Sequence, residues 1–211
     1  PFTTKKAHEI SNLDTEINPS LIIAGCGALG SKIAMHLVRS GITNILFCDP
    51  DYLSDHNLCR HALLDKSVYK NKASEMRSAT NLIYYHEMLK ADASCRGIKT
   101  ILGDAEIMSK RTPDYLLDFT TSKVAHNQLV NIKNRPTAIS AAIFDNGKFG
   151  LLMSEGNNGE VRLDDVMAAF FAQYKTDPIV SSYLMREKEL SREPSSLLNV
   201  GLGCNSETFI L

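Results

Sequence analysis

The chain has 211 residues, and its 23 Lys and Arg against 24 Asp and Glu give a formal net charge of −1. This balance argues against a nucleic-acid-binding protein, whose usual signature is clustered positive charge. Hydrophobic residues make up 44% and charged residues 22%, as in ordinary globular proteins, and no apolar run reaches the roughly 18 residues that a membrane-spanning helix needs. We therefore expect a cytoplasmic protein that binds neither nucleic acid nor a membrane.

The cysteines and the two ends of the chain bear on its organisation. The five cysteines are widely spaced and suit neither a disulfide framework nor the paired Cys-x-x-Cys motifs of zinc sites, so we expect a reduced protein without structural zinc. The chain starts at Pro1 and its last residues are apolar, whereas natural termini are usually polar. We expect an N-terminal segment over 1–19 and one domain over 20–211, taken from a longer protein.

Short apolar runs alternate with segments of helical period from residue 20 to residue 135, which indicates a largely parallel, doubly wound α/β sheet of the Rossmann-like kind. The predicted elements here are, in chain order, strand 21–24, a helix with an apolar stripe over 33–38, strand 44–48, helix 72–90, strand 98–102, strand 115–119 and helix 124–132. Strands 137–144 and 148–153 flank Asp145-Asn146-Gly147, and because Asn-Gly favours a type I′ turn they predict an antiparallel hairpin extension. C-terminal helices are predicted from Asp164 through about Glu189, before a loop-like tail from Ser191.

The first predicted strand runs directly into a glycine-rich turn, Gly25-x-Gly27-Ala28-x-Gly30, which opens the first helix. Asp49 stands at the end of the next strand, 24 residues after Gly25. Glycines permit a tight turn and close approach of the backbone to phosphate, the helix N-terminus offers free N–H groups, and an acid in this position accepts hydrogen bonds from ribose hydroxyls. The pattern predicts a nucleotide site and leaves NAD, FAD and ATP open.

Polar residues beyond Asp49 favour ATP over NAD. Asp51, Asn57, Arg60 and Lys72 follow it closely. Two cations and an amide suit an attack at an α-phosphate, because they can hold the β- and γ-phosphates as these leave. On spacing alone, a solvated charged loop is an equal alternative.

Together these segments resemble the ThiF/MoeB/HesA family, the activating enzymes of ubiquitin and its bacterial relatives. The family pattern is a Gly-x-Gly-x-x-Gly turn, Asp-x-Asp, Asn-Leu-x-Arg-Gln or -His, and Gly-Lys-x-Lys-Ala. This chain has Asp49-Pro50-Asp51, Asn57-Leu58-Cys59-Arg60-His61 and Lys70-Asn71-Lys72-Ala73 in that order, and the resemblance covers about residues 20–129. The segments 162–165 and 201–208 are similar to activating domains fused to conjugating-enzyme and deubiquitinase-like domains in bacterial anti-phage operons.

The resemblance implies ATP-dependent adenylation of the C-terminal carboxylate of a ubiquitin-like or operon-encoded protein, with release of pyrophosphate. It implies that the glycine turn and Asp49 bind the nucleotide, that Asn57, Arg60 and Lys72 hold the triphosphate, and that Asp51 lies near the phosphates or orders the two cations. The implied partners are the protein substrate, a conjugating-enzyme domain and a second copy of the chain in a homodimer. A candidate dimer face consists of Met167, Phe170, Phe171 and Tyr174, which recur at helical spacing.

The chain also departs from the family pattern. The family's Asp-x-x-Asp segment, whose second carboxylate binds Mg²⁺, here reads Asp118-Phe119-Thr120-Thr121. A hydroxyl is a weaker Mg²⁺ ligand than a carboxylate, so we expect that Asp118 takes over, that phosphates hold most of the metal, or that activity is impaired. The N-terminal arginine that many relatives lend across the dimer has no counterpart within 1–19.

Two further residues leave alternatives open. His61 replaces the usual glutamine and either forms hydrogen bonds near the phosphates or has a plain structural role. Cys204 follows Gly201 and Gly203 in a late loop and is a candidate to accept the adenylated carboxylate as a thioester, the alternative being a buried thiol in a tight turn. The rival functions are a NAD-dependent oxidoreductase and a nucleotide-binding pseudo-enzyme scaffold.

Overall fold

Short apolar runs form the strands of one central sheet in the computed structural model, which describes residues 1–14, 17–89, 91–144, 147–156 and 159–182. The strands are β1 (Leu21–Ala24), β2 (Ile45–Cys48), β3 (Asp92–Ser94), β4 (Tyr115–Asp118), β5 (Thr137–Phe144) and β6 (Phe149–Ser154). Their order across the sheet is β3-β2-β1-β4-β5-β6. The first five strands are parallel and β6 is antiparallel to β5, which confirms the predicted Rossmann-like sheet with an antiparallel extension.

The helices are α1 (Thr4–Ile10), α2 (Ala28–Arg39), α3 (Lys72–Asn81), α4 (Ile98–Leu102), α5 (Ala105–Arg111), α6 (Lys123–Asn131) and α7 (Leu163–Ala172). Four of them begin with a side chain that accepts a hydrogen bond from a backbone N–H of the first turn, namely at Thr3, Asn71, Asp104 and Ser122. Helix α2 is preceded by Gly27, which supplies no such side chain. Its first N–H groups are therefore left to other partners. None of the described helices is long and apolar enough to cross a bilayer.

Hydrophobic cores lie on both faces of the sheet. Ile23 and Phe47 face the core beneath α2 and α3, whereas Ile22, Leu46 and Leu116 face the core beneath α4, α6 and α7. Every residue of β1 and β2 is buried, as expected for parallel strands covered by helices on both faces. Because helices pack on both faces of these strands, the carboxyl ends of β1 and β2 are held in fixed positions next to each other.

The predicted strand over 98–102 is wrong, because this segment forms α4 and the third strand is Asp92–Ser94. A segment of only five residues fits either a strand or a short helix. Here Ile98 and Ile101, one helical turn apart, are both buried against the core. The actual strand β3 is short, partly polar and at the edge of the sheet, so it lacks the apolar pattern that would have revealed it.

The helix predicted over 72–90 is too long. Helix α3 ends at Asn81 rather than near residue 90; beyond it, the buried Tyr84 hydroxyl donates to the carbonyl oxygens of Val38 and Arg39 at 2.8 and 3.1 Å. Where the C-terminal helices are predicted from Asp164, α7 ends at Ala172, a 3-10 turn follows, and a further helical segment covers 178–182. Residues 183–211, and the hairpin residues 145–146, lie outside the described residues.

The N-terminal segment contains a helix that the sequence pattern did not predict. Ala7 and His8 of α1 are buried, and Phe2 stacks on Tyr84 with ring centroids 5.5 Å apart. The carboxylate of Glu87 accepts a hydrogen bond from the backbone N–H of Thr4 at 3.1 Å. These contacts hold the N-terminal segment against the residues that follow α3.

Candidate functional site

A cavity of about 550 Å³ lies where β1, β2 and β4 end. Parallel strands bring their carboxyl ends to the same edge of a sheet, and ligands of such folds bind where neighbouring connections leave in opposite directions. Here β1 pairs with β2 on one side and β4 on the other. The residues on the cavity wall include Gly25, Gly27, Ala28, Lys32, Asp49, Asp51, Arg60, Thr120, Thr121 and Ser122.

The glycines of the turn after β1 are required by close neighbours. Gly25 has a φ of +86°, and a Cβ there would lie 2.8 Å from the backbone of Phe119 and Thr120 after β4. A Cβ on Gly30 would overlap the carbonyl oxygen of Gly25. Because larger residues are excluded at both positions, the start of α2 packs directly against the turn, with its uncapped N-terminus at the cavity.

Asp49 connects the end of β2 to this turn. Its Oδ2 accepts a hydrogen bond from the backbone N–H of Cys26 at 2.7 Å, and its Oδ1 accepts one from the N–H of Asp51 at 2.8 Å. Burial raises the pKa of Asp49, and these hydrogen bonds and Lys72 oppose that increase. Each carboxylate oxygen retains a second lone pair, so the side chain on the cavity wall can still accept from a hydroxyl of a ligand.

Lys72 and Asp51 form an ion pair beside the cavity. The Nζ atom of Lys72 lies 3.3 Å from Oδ2 of Asp51, and the lysine side chain is 0% exposed whereas that of Asp51 is 45% exposed. The Asn71 amide donates to the backbone carbonyls of Asp49 and Asp51 at 2.8 and 3.1 Å, which joins the start of α3 to the end of β2. Asp51 itself lies on the cavity wall, whereas Lys72 lies behind the wall.

Asn57 and Arg60 occupy different positions relative to the cavity. Asn57 is buried in a 3-10 turn, where its Oδ1 accepts from the backbone N–H of Ser54 at 3.1 Å. Arg60 follows this turn, with its backbone N–H bonded to the carbonyl of Asn57, and lies on the cavity wall. In this arrangement Asn57 shapes the turn that precedes Arg60 and is not itself on the cavity wall.

His61 connects the same segment to the glycine turn. Its Nε2 lies 2.6 Å from the carbonyl oxygen of Cys26, and its Nδ1 accepts from the backbone N–H of Leu63 at 3.0 Å. Burial lowers the pKa of His61 to about 4, with smaller contributions from nearby Lys72 and Lys32. The ring is therefore neutral at pH 7. The sequence signal of a role near the site was that His61 directly follows Arg60, at the position where the family pattern usually has glutamine.

Asp118, the predicted Mg²⁺ ligand, is buried and is not among the residues on the cavity wall. It is 3% exposed, and its Oδ1 accepts from both the backbone N–H and the hydroxyl of Thr120, at 3.0 and 2.7 Å. Burial raises the pKa of Asp118, and the bonds from Thr120 oppose that increase. The residues on the cavity wall after β4 are Thr120, Thr121 and Ser122. These three residues do not fit an Mg²⁺ ion held by the protein, since Mg²⁺ sites use carboxylates with phosphates and water, and the carboxylates on the wall are those of Asp49 and Asp51 after β2.

The backbone at Thr121 is also unusual, with a φ of +52°. The left-handed region is rare for a β-branched residue, and such outliers are often found at functional sites. The Thr121 hydroxyl donates to the carbonyl oxygen of Thr120 at 2.7 Å, so it is engaged within its own turn. Thr121 lies on the cavity wall.

Lys32 is a cavity residue that the sequence reasoning missed. It lies one turn into α2, four residues after Ala28, and both are on the cavity wall. No ion pair of Lys32 occurs with any residue in the part of the chain that the structure describes. The four-residue spacing from the glycine turn was the signal that could have found it, because residues four apart share one face of a helix.

The remaining candidate residues lie elsewhere. Cys26 and Cys48 are buried, Cys59 and Cys95 are exposed, and Cys204 falls outside the described residues. Among the residues that the structure describes, no three His, Cys, Asp or Glu side chains are grouped as a metal site. Of the candidate dimer face, Met167 packs against the core, the rings of Phe170 and Phe149 are 6.0 Å apart, and Phe171 is half exposed.

Comparisons with known proteins agree with this arrangement. The ThiF family model matches residues 15–158. The ATP-dependent ubiquitin transferase-like protein Cap2 of Enterobacter hormaechei subsp. hoffmannii is 35% identical over 103 residues, which cover 47% of this chain and 16% of Cap2. E. coli MccB solved with ATP has a TM-score of 0.52 at 19% identity over 76% of this chain and 49% of MccB. MccB solved with selenomethionine MccA has a TM-score of 0.52 at 18% identity over 87% and 51%.

These matches cover only part of each known protein. The chain spans about half the length of the MccB chains and a smaller part of Cap2. At these low identities the MccB structures show a shared fold, in agreement with the Rossmann-like sheet. The family model covers most of the chain, including every segment that forms the cavity wall from Ala24 to Gln128. The chain belongs to the ThiF family.

Proposed function

We propose that this chain is the adenylation domain of an enzyme that uses ATP to activate the C-terminal carboxylate of a ubiquitin-like or operon-encoded protein. The observation that carries the proposal is the joint placement of an uncapped helix N-terminus, Asp49 and the cations Lys32 and Arg60 at one cavity. A helix N-terminus and cations together attract phosphate, and an acid can accept from ribose hydroxyls.

The charges around the cavity favour ATP over a nicotinamide cofactor. Besides Lys32 and Arg60 on the wall, the buried Lys72 lies directly behind Asp51. Three cations exceed what an uncleaved pyrophosphate needs, and they suit a triphosphate whose leaving group gains charge. The names of the relatives support this choice, since MccB has been solved with ATP and Cap2 is named as ATP-dependent. A NAD-dependent oxidoreductase is the less supported alternative.

The proposed reaction is a displacement at the α-phosphorus of ATP. A carboxylate oxygen of the protein substrate forms the new bond, the bond to the bridging oxygen of the β-phosphate breaks, and pyrophosphate leaves. Arg60 and Lys32 neutralise charge on the phosphates, and Lys72 reinforces them from behind Asp51. Any Mg²⁺ would be held mostly by the phosphates and water, because Asp118 is engaged by Thr120. The family's Mg²⁺-binding carboxylate is replaced by Thr121 in this chain. This replacement favours the alternative of a pseudo-enzyme that only binds nucleotide.

The partners belong to the same proposal. MccB is solved with MccA and Cap2 is named as ubiquitin transferase-like, which supports a peptide or protein carboxylate as the substrate. We further propose a homodimer, a conjugating-enzyme domain as the next acceptor, and thioester transfer through Cys204. A non-reducing gel after incubation with ATP and the substrate protein tests the last step. A thiol-sensitive adduct that survives Cys204→Ala would remove this residue from the mechanism.

Pyrophosphate exchange with candidate ubiquitin-like or operon-encoded proteins tests the function itself. We expect ATP-dependent exchange with the wild type and a loss on the order of tenfold or more in Arg60→Ala, because a charge-assisted contact to phosphate is lost. Arg77→Ala is the matched control, since Arg77 is exposed on α3 and is not on the cavity wall. Exchange that persists in Arg60→Ala and Lys72→Ala would contradict the assigned site. Calorimetric preference for NADH over ATP would contradict the function.

A further inference from the structure

Both backbone polar groups of Cys26 are held by side chains that come from later in the chain. Its N–H donates to Oδ2 of Asp49 at 2.7 Å, and its carbonyl oxygen lies 2.6 Å from Nε2 of His61. The segment that carries His61 is itself fixed, because the N–H of Ala62 donates to the hydroxyl of Ser31 on α2 at 3.1 Å. The middle of the glycine turn is therefore held on two sides.

The contacts of His61 determine which ring nitrogen carries the proton. The backbone N–H of Leu63 donates to Nδ1 at 3.0 Å, so Nδ1 must hold a lone pair. In a neutral imidazole the proton is then on Nε2. Nε2–H is consequently the donor to the carbonyl oxygen of Cys26, and both ring nitrogens are used.

This donation sets the direction of the next N–H along the chain. The carbonyl of Cys26 and the N–H of Gly27 belong to one peptide unit, and in a trans peptide they point in opposite directions. No cis peptide occurs among the described residues. Because the carbonyl of Cys26 points at the buried ring of His61, the N–H of Gly27 points away from it. Gly27 lies on the cavity wall, whereas His61 does not.

We propose that His61 is a positioning residue, which holds the Cys26–Gly27 peptide so that the N–H of Gly27 faces the phosphates of a bound nucleotide. This inference rests on the proposed function. Without the donor on His61, the Cys26–Gly27 peptide loses the bond that fixes its carbonyl, and the N–H of Gly27 is no longer held toward the phosphates. Adenosine has no phosphates, and the hydrogen bonds that it can form with the protein, including one to Asp49, do not involve the Cys26–Gly27 peptide.

Calorimetry with two ligands separates positioning from a general structural role. We expect His61→Phe, which fills the ring's volume without a donor, to weaken ATP binding on the order of tenfold while adenosine binding changes less than twofold. His61→Gln, whose amide can donate to the carbonyl of Cys26, should restore most of the ATP affinity. Equal losses for ATP and adenosine, or an unchanged ATP affinity in His61→Phe, would overturn the inference.

A measurement on the wild type covers the case in which His61→Phe does not fold. In a ¹⁵N-labelled protein titrated with ATP, the amide proton of Gly27 should move downfield, and with adenosine it should stay near its position in the free protein. If ATP binds but the chemical shift of the Gly27 amide proton does not change, the positioning role of His61 is refuted and the proposed function is not. A wild type that binds neither ligand would refute the proposed function, and this inference with it.

Discussion

The stability of the fold in mild acid should depend on His61. Burial lowers the pKa of its ring to about 4 from an ordinary value of 6.5, and Nδ1 has no room for a proton while it accepts from Leu63. Between these two values the unfolded chain binds a proton that the folded chain does not bind. The free energy of unfolding therefore decreases as the pH falls through this window, by about 3 kcal/mol in all.

Urea unfolding of the wild type and His61→Gln at several pH values from 7 to 4 measures this loss. The variant lacks the titrating ring but keeps the other acids, so effects from Asp49 and Asp118, whose pKa values burial raises, cancel in the difference. We expect the wild type to lose about 3 kcal/mol more than the variant between pH 6.5 and pH 4. If the free energies of unfolding of the two proteins change in parallel with pH, the pKa of His61 is not lowered by folding. The buried ring with hydrogen bonds to Cys26 and Leu63 would then be wrong.

Three further predictions concern other parts of the molecule. Arg135→Ala should lower the free energy of unfolding by about 3–5 kcal/mol in urea, because it leaves the Glu155 carboxylate buried without its 2.6 Å partner, both side chains being about 5% exposed or less; an effect under 1 kcal/mol would contradict this. Gly30→Ala should abolish ATP binding in calorimetry, since its Cβ would overlap the carbonyl of Gly25, and normal affinity would disprove that packing. Lys32→Met should weaken ATP binding about tenfold and leave adenosine binding unchanged, whereas equal affinities for ATP would remove Lys32 from the site.

The parts of the fold that could be predicted from the sequence are those with strong local signals. Leu21–Ala24 is apolar throughout because β1 is buried on both faces, and the glycines at 25 and 30 are required by backbone that approaches them closely. In contrast, Ile98–Leu102 is too short to show a period, and its helical state depends on packing against the core rather than on its own residues. Asp92–Ser94 pairs at the sheet edge through backbone bonds, for which side chains carry little signal.

The direction of side chains at the cavity could not be predicted, because partners remote in sequence decide it. His61 lies 35 residues from the carbonyl that it contacts. Asp118 belongs to a recognisable motif, yet its carboxylate accepts hydrogen bonds from the hydroxyl and N–H of Thr120 and is not on the cavity wall. Residue type and spacing placed both residues near the site and did not indicate which way they face.

The residues that hold the glycine turn in place are synthesised after the turn itself. A growing polypeptide that has passed α2 already contains the turn, but Asp49, His61 and the backbone at Phe119 and Thr120, which shape it, are synthesised later. The cavity beside this turn thus forms only when β4 has joined the sheet. ATP, which under the proposed function binds in that cavity, cannot guide the early stages of folding. Its binding adds contacts that are absent until the end, so it should slow unfolding rather than accelerate folding.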